Sequence, residues 1–272
     1  MTNLRQIAAR LRTGSSRLAR DKSGLALLEF AFGMPLVLMI GLYGLETANL
    51  ALVNLKISQI ALGLADNASR VGVLNATQIE QLREVDMNDV LQAARMQGAS
   101  INLTTNGRIT VSSLEADSAG TQRIHWQRCI GLKSGVGYDS SYGITAASSP
   151  GNPLTSDQTP YDPTAGVNTA TGGNPDNSAS HPGSRAVGVT GAAVVGMGDD
   201  AASAVTAPAS GGVIFVEINY LYKPVVGNWL FGPSRIHYVA SFIVRDNRDF
   251  TQIYNPVTTP VTPRATCNLY AT

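Results

Sequence analysis

The 272-residue chain is short of charge: 14% of its residues are Asp, Glu, Lys or Arg, against 44% hydrophobic. Its three histidines, His125, His181 and His237, are far apart, and neither an H-x-x-x-H nor a C-x-x-C spacing occurs. That argues against a metal site. No G-x-S-x-G turn and no phosphate loop is present. Asp199-Asp200 after Gly198 is too sparse for a calcium loop. With no motif for a nucleophile, a base or a cofactor, the sequence points away from an enzyme, and no cofactor is expected. Positive charge is also scarce beyond the N-terminus. Of the 20 basic and 19 acidic residues, six basic ones (Arg5, Arg10, Arg12, Arg17, Arg20, Lys22) and one acid (Asp21) fall within residues 1–24, leaving 14 against 18, a net of −4. Nucleic acid binding needs a sustained basic surface, so no nucleic acid partner is expected for the remainder.

What the chain does have is one long apolar run. Residues 23–46 read SGLALLEFAFGMPLVLMIGLYGLE, and between residues 25 and 45 the one charged residue is Glu29. Those 21 residues, at about 1.5 Å of rise each, match a bilayer core of roughly 30 Å. A secretory signal is shorter and ends at a small-residue cleavage site, whereas residues 46–70 continue in helix-compatible residues. The reading is a transmembrane helix. The basic leader before it and the absence of basic residues over 46–54 put the N-terminus in the cytoplasm and everything after about residue 46 outside. Pro35 within the span is read as a kink that a membrane helix tolerates.

Glu29 lies one turn inside the leader end of that span. A carboxylate at a helix centre costs about 2.5–3.5 kcal/mol on insertion scales, and less near the headgroups. Its neighbours form a pattern: basic leader, Gly24, four apolar residues, Glu29, then Phe30. The sequence G24-LALL-E29-F30 resembles the type IV prepilin processing motif, and in this form it looks most like the pseudopilins of the tight-adherence (Tad) pilus, the TadE-like family. The resemblance implies a membrane prepilin peptidase that cuts between Gly24 and Leu25. Physical reasons fit that scheme. Glycine lets a peptidase approach the backbone closely. Cleavage would strip the leader's positive charge and create an α-ammonium on Leu25, one helical turn from Glu29. A carboxylate in a low-dielectric bundle needs a positive partner, so Glu29 could pair with the ammonium of a neighbouring subunit and fix axial register, as one buried polar residue does in a coiled coil. The implied partners are the bacterial inner membrane, the prepilin peptidase, other Tad pilins and assembly-platform proteins. The alternative within the same resemblance is a TadG-like envelope protein that keeps residues 1–24 and binds the cell wall, a pilus component or a surface. The two differ in one peptide bond.

The remainder reads as α+β: a long N-terminal transmembrane and amphipathic helix, a second helix, and a small antiparallel sheet in a pilin-like order, interrupted by a long flexible insertion. Leu50, Val53, Ile57, Ile60 and Leu64 recur at spacings of three and four, which predicts that the helix continues to about residue 70. A second helix is predicted over residues 77–97, with Thr77 as N-cap, Glu80 completing a capping box and Gly98 past its end. INLTTNGRITVSS predicts two strands joined at Asn106-Gly107. Further strands are predicted over 122–130, 213–222 and 236–245. The stretch Asn219-Tyr220-Leu221-Tyr222-Lys223-Pro224 resembles the Tyr-rich late strand of TadE-like proteins. Residues 133–212 are rich in Gly, Ser, Thr, Asn, Asp and Pro, with little to build a core, and are read as a surface insertion; the more apolar 187–195 is a candidate to dock on the sheet. The domain organisation is therefore leader 1–24, span 25–45, first part of the exterior domain 46–132, insertion 133–212, and last strands with the tail 213–272. Two cysteines, Cys129 and Cys267, are either unrelated thiols or a bridge; an exported domain favours the bridge.

Overall fold

The computed structural model describes residues 23–116, 122–144, 185–186, 196–198, 204–209, 211–229, 232–250, 253–254, 262–267 and 269–272. Nearly all of the expected leader, most of the insertion, the 187–195 docking candidate and His181 lie outside them. The fold is α+β. It divides into two compact units: the chain up to Asn49 together with Pro224–Phe231, and Leu50–Lys223 together with Gly232–Thr272.

Helix α1 (Ser23–Arg70) is a single 48-residue helix with Pro35 inside it. It is long and apolar enough to cross a membrane, and none of its most apolar window is buried. It is the candidate membrane span. In the first unit Leu27, Phe32 and Ile40 all stand outward. From Leu50 onward the pattern narrows to one face. Val53, Ile57, Ile60, Ala61, Leu64, Ala65 and Ala68 are buried, the three-and-four spacing expected of an amphipathic helix. The predicted stripe is thus buried, with Leu50 partly so.

The second helix differs from expectation at its start. Asn75 takes over the local donors: its Oδ1 accepts from the Thr77 N–H at 2.9 Å, the Thr77 hydroxyl at 2.8 Å and the Ile79 N–H at 2.9 Å. An asparagine that offers the backbone a turn outcompetes a helix start. The segment therefore folds as a small hairpin, β1 (Val73–Leu74) with β2 (Glu80–Gln81). Helix α2 begins only at Glu84 (Glu84–Gln97). Its capping box belongs to Arg83 and Asp86, the Arg83 N–H donating to Asp86 Oδ2 at 3.1 Å, not to Thr77 and Glu80. Gly98 does follow its end.

The expected hairpin at Asn106-Gly107 is likewise absent. Ala99–Ile101 forms a 3-10 turn and Leu103–Asn106 a short helix, α3, that buries Leu103 and Thr104. Strand β3 (Gly107–Ala116) starts at the glycine. Gly107 serves close approach: a Cβ there would sit 2.6 Å from the Asn219 carbonyl oxygen on a neighbouring strand.

The main sheet is antiparallel and four-stranded, in the order β4 (Gln122–Ile130), β3, β7 (Gly212–Tyr222), β8 (Ser234–Ile243). The short strands β5 (Gly143–Ile144) and β6 (Arg185–Ala186) pair separately. Val111 lies opposite Val216, and Val216 opposite Ala240. One face, with Ile109, Val111, Ile214, Val216 and Ile218, packs against the α1 stripe and against Met87 and Leu91 of α2. Described residues of the insertion pack on the other face. Tyr142, Met197 and Ala207 form a second core with Leu114, Ile124, Val213 and Phe215. Part of a segment read as having little to build a core with therefore supplies one side of it, which is why β7 is buried almost throughout.

Candidate functional site

The sequence motif occupies the first turns of α1. Gly24, Leu25, Glu29 and Phe30 all fall within the helix and are exposed. A Cβ added at Gly24 would have nothing within 4 Å, so the backbone at the Gly24–Leu25 bond is open on that side. Leu25 and Glu29 are four residues apart, one turn or about 6 Å along the axis. Among the described residues Glu29 has no hydrogen-bond or ion-pair partner. Leu25, Leu28 and Phe30 around it are more than half exposed. This stretch of the helix is an exposed apolar surface that carries one carboxylate.

At the other end of the apolar run the carboxylate is treated differently. Glu46 is buried, and its Oε2 accepts from the backbone N–H groups of Val225 at 3.0 Å and Val226 at 2.8 Å. Both donors belong to the loop between β7 and β8. Sequence reading took Glu46 only as the boundary of the span; its partner lies some 180 residues away, and no local pattern announces it.

The second unit holds polar assemblies that sequence reading also missed. The Glu84 and Arg128 side chains are both fully buried, with Arg128 Nε donating to Glu84 Oε2 at 3.0 Å and Nη2 bonding the other oxygen. Glu84 is the first residue of α2, so its charge also suits the helix dipole. Arg248 closes the C-terminal end of α1, donating to the carbonyls of Ala68 at 3.2 Å, Ser69 at 3.1 Å and Val71 at 3.0 Å. Arg108 donates to the Gly131 and Cys267 carbonyls and lies 4.2 Å from the centre of the Tyr270 ring. Burial pulls the Arg108 pKa below the ordinary value.

Cys129 and Cys267 are joined in a disulfide. It fastens the C-terminal tail to edge strand β4. The Cys129 N–H also donates to the Ala265 carbonyl at 2.7 Å and the Gly131 N–H to the Ala271 carbonyl at 2.6 Å. The tail thus covers backbone groups that an open sheet edge would offer to another strand.

Among the described residues the two histidines, His125 and His237, do not converge. On β4 one extra residue between Gln127 and Ile124 bulges the strand. It lets His125 Nδ1 reach Glu115, 2.8 Å from Oε2, on the face where Trp126 joins the helix-side core. His237 belongs to the opposite face. Its Nδ1 lies 2.8 Å from Asn219 Oδ1, and its Nε2 is hydrogen-bonded to the Tyr142 hydroxyl at 2.7 Å. Glu217 beside it accepts from the Ser141 N–H at 3.2 Å, and burial raises its pKa above the ordinary carboxylate value. These contacts latch the start of the insertion onto the sheet. Among the described residues no group of three or more His, Cys, Asp or Glu is placed to hold a metal ion. A cleft of about 470 Å³ is lined by Asp66, Arg70, Glu80, Phe242, Arg245 and Asp246, with no histidine among the described residues at its wall.

Compared with family models, with curated proteins and with solved structures, the chain matches none.

Proposed function

We propose that this chain is a non-enzymatic assembly protein of a Tad-type pilus, a TadE-like minor pseudopilin held in the bacterial inner membrane. Its N-terminus is cytoplasmic and its α+β unit faces the periplasm or the pilus. The observation that carries the reading is α1. One uninterrupted helix joins an exposed apolar half, carrying Gly24, Leu25, Glu29 and Phe30, to an amphipathic half whose stripe is consumed by its own core. The exposed half is left for lipid and for the helices of other subunits. Glu29, exposed and without a partner among the described residues, pairs in this reading with the ammonium of a neighbouring processed subunit and fixes the axial offset between helices that would otherwise slide. The disulfide fits a domain outside the cytoplasm.

The intact mass and N-terminal sequence of the protein from native bacterial membranes test this reading. A start at Leu25, with or without a methyl group, supports prepilin processing. A start at Met1 or Thr2, in cells whose prepilin peptidase is active, overturns it in favour of the TadG-like anchored envelope protein.

A further inference from the structure

We propose that the loop following β7, Pro224 to Trp229, is a second membrane contact: it lies in the interfacial layer of the leaflet where α1 emerges, with Trp229 at headgroup depth. The proposal rests on the reading of α1 as a membrane span.

Three observations converge on this loop. The first is position. The apolar run of α1 ends at Leu45, and the next residue, Glu46, receives the Val225 and Val226 N–H groups. The loop backbone is therefore pinned to the helix at the depth where hydrocarbon gives way to water. The second is surface chemistry. Val225 is 71% exposed and Trp229 65% exposed, and residues 224–229 contain no charged side chain. Lys223 precedes them, an amine that reaches lipid phosphates from such a position. An indole exposed at a helix's exit from a bilayer suits the interface, where its ring meets acyl chains and its N–H stays wet. The third is rigidity. Glu46 is 1% exposed, so its carboxylate is committed to holding the loop instead of being solvated. Gly227, at φ 122°, turns the chain in a conformation that other residues disfavour, and a Cβ there would meet the Trp229 ring at 3.1 Å. A turn closed by two hydrogen bonds to a buried acid presents Trp229 at little ordering cost. Lipid is the occupant because the loop, with Val225 and Trp229 exposed, is bonded to the helix at the residue that ends its exposed apolar run.

The test uses the full chain reconstituted in phosphatidylethanolamine/phosphatidylglycerol liposomes. Flotation comes first. The Trp229 signal is then taken as wild type minus Trp229→Phe, which leaves the buried Trp126 as background. Lipids brominated high on the acyl chain are expected to quench Trp229 strongly, while aqueous iodide leaves it nearly unchanged. Glu46→Ala is expected to float as well as wild type but to lose most of the bromolipid quenching. Iodide quenching with no bromolipid effect in floating protein overturns the loop proposal and leaves the span standing. Protection from both quenchers means that protein covers the loop, and it also overturns the proposal. Unchanged bromolipid quenching in Glu46→Ala refutes the pinning. Protein that does not float removes the span and the loop contact together.

Discussion

Removing one partner of the Glu84–Arg128 pair should cost far more than removing both. Neither side chain is exposed, and Arg128 distributes its donors over both oxygens of Glu84 and the Gln127 carbonyl, the last at 2.7 Å. Arg128→Met removes from a buried carboxylate the cation it bonds, and Glu84→Gln removes from a buried guanidinium the anion it bonds. Breaking such a pair costs about 3–5 kcal/mol, whereas replacing both partners is often neutral or stabilising because neither charge is then desolvated unpaired. Against a total stability of about 5–15 kcal/mol, each single substitution takes a large share. The double variant Glu84→Gln/Arg128→Met should recover most of it. The assay is urea unfolding of the full chain in detergent micelles, followed by emission of Trp126, which is 4% exposed when folded. The reasoning fails if either single variant loses less than about 1 kcal/mol, or if the double variant loses the sum of the two singles, since a pair in contact must couple.

Other expectations bear on other parts of the molecule. Burial raises the Glu217 pKa above its ordinary 4.5, so the folded state holds a proton that the unfolded state releases. Stability is then lost as pH rises from about 4.5 through the folded value, and Glu217→Gln should gain relative to wild type across that window; parallel urea midpoints against pH would refute it. Cys129→Ala/Cys267→Ala opens a loop between positions 138 apart and should lower stability by about 5 kcal/mol on chain-entropy grounds. Alkylation of both thiols in the native protein without reductant would show that there is no bridge to lose. Glu29→Ala should leave membrane insertion intact and reduce pilus number, and normal piliation in that variant would sink the register role.

Elements whose instructions lie in their own periodicity were legible in the sequence. The α1 stripe, the three strands over 122–130, 213–222 and 236–245, and the apolar run all appear within a residue or two of where pattern places them. Misreadings came where a polar side chain could serve two local structures. Thr77 and Glu80 have the spacing of a capping box, but Asn75 two residues earlier offers an oxygen to the same N–H groups and wins them for a turn. Asn106-Gly107 has the composition of a hairpin turn, yet Gly107 is needed where β7 passes close. Contacts over long separations left no local trace: Glu84 with Arg128, Arg248 with the end of α1, and Glu46 with Val225 and Val226. The insertion was judged by average composition, and an average conceals that Tyr142 and Met197 are enough to cover Phe215 and Leu114.

Two glutamates, Glu29 one turn inside the apolar run and Glu46 just past its end, bear on the proposed multi-chain role. They are seventeen residues apart, roughly 25 Å along a helix, close to the thickness of a bilayer core. Glu46 is satisfied within the chain by two backbone N–H groups, and that end of the run is complete in one molecule. Glu29 is in the same helix but exposed, and no described residue of the chain answers it. A carboxylate kept one turn inside hydrocarbon is unfavourable unless it is paired. If its cation comes from another subunit, the imbalance between the two ends is what an assembling helix requires: closed where it joins its own domain, open where it meets its neighbours. On that argument Glu46→Ala should disturb the single molecule and leave helix register alone, while Glu29→Ala should do the reverse. Finding both defects in both variants, by liposome quenching and by pilus counts, would show that the ends are not separate devices.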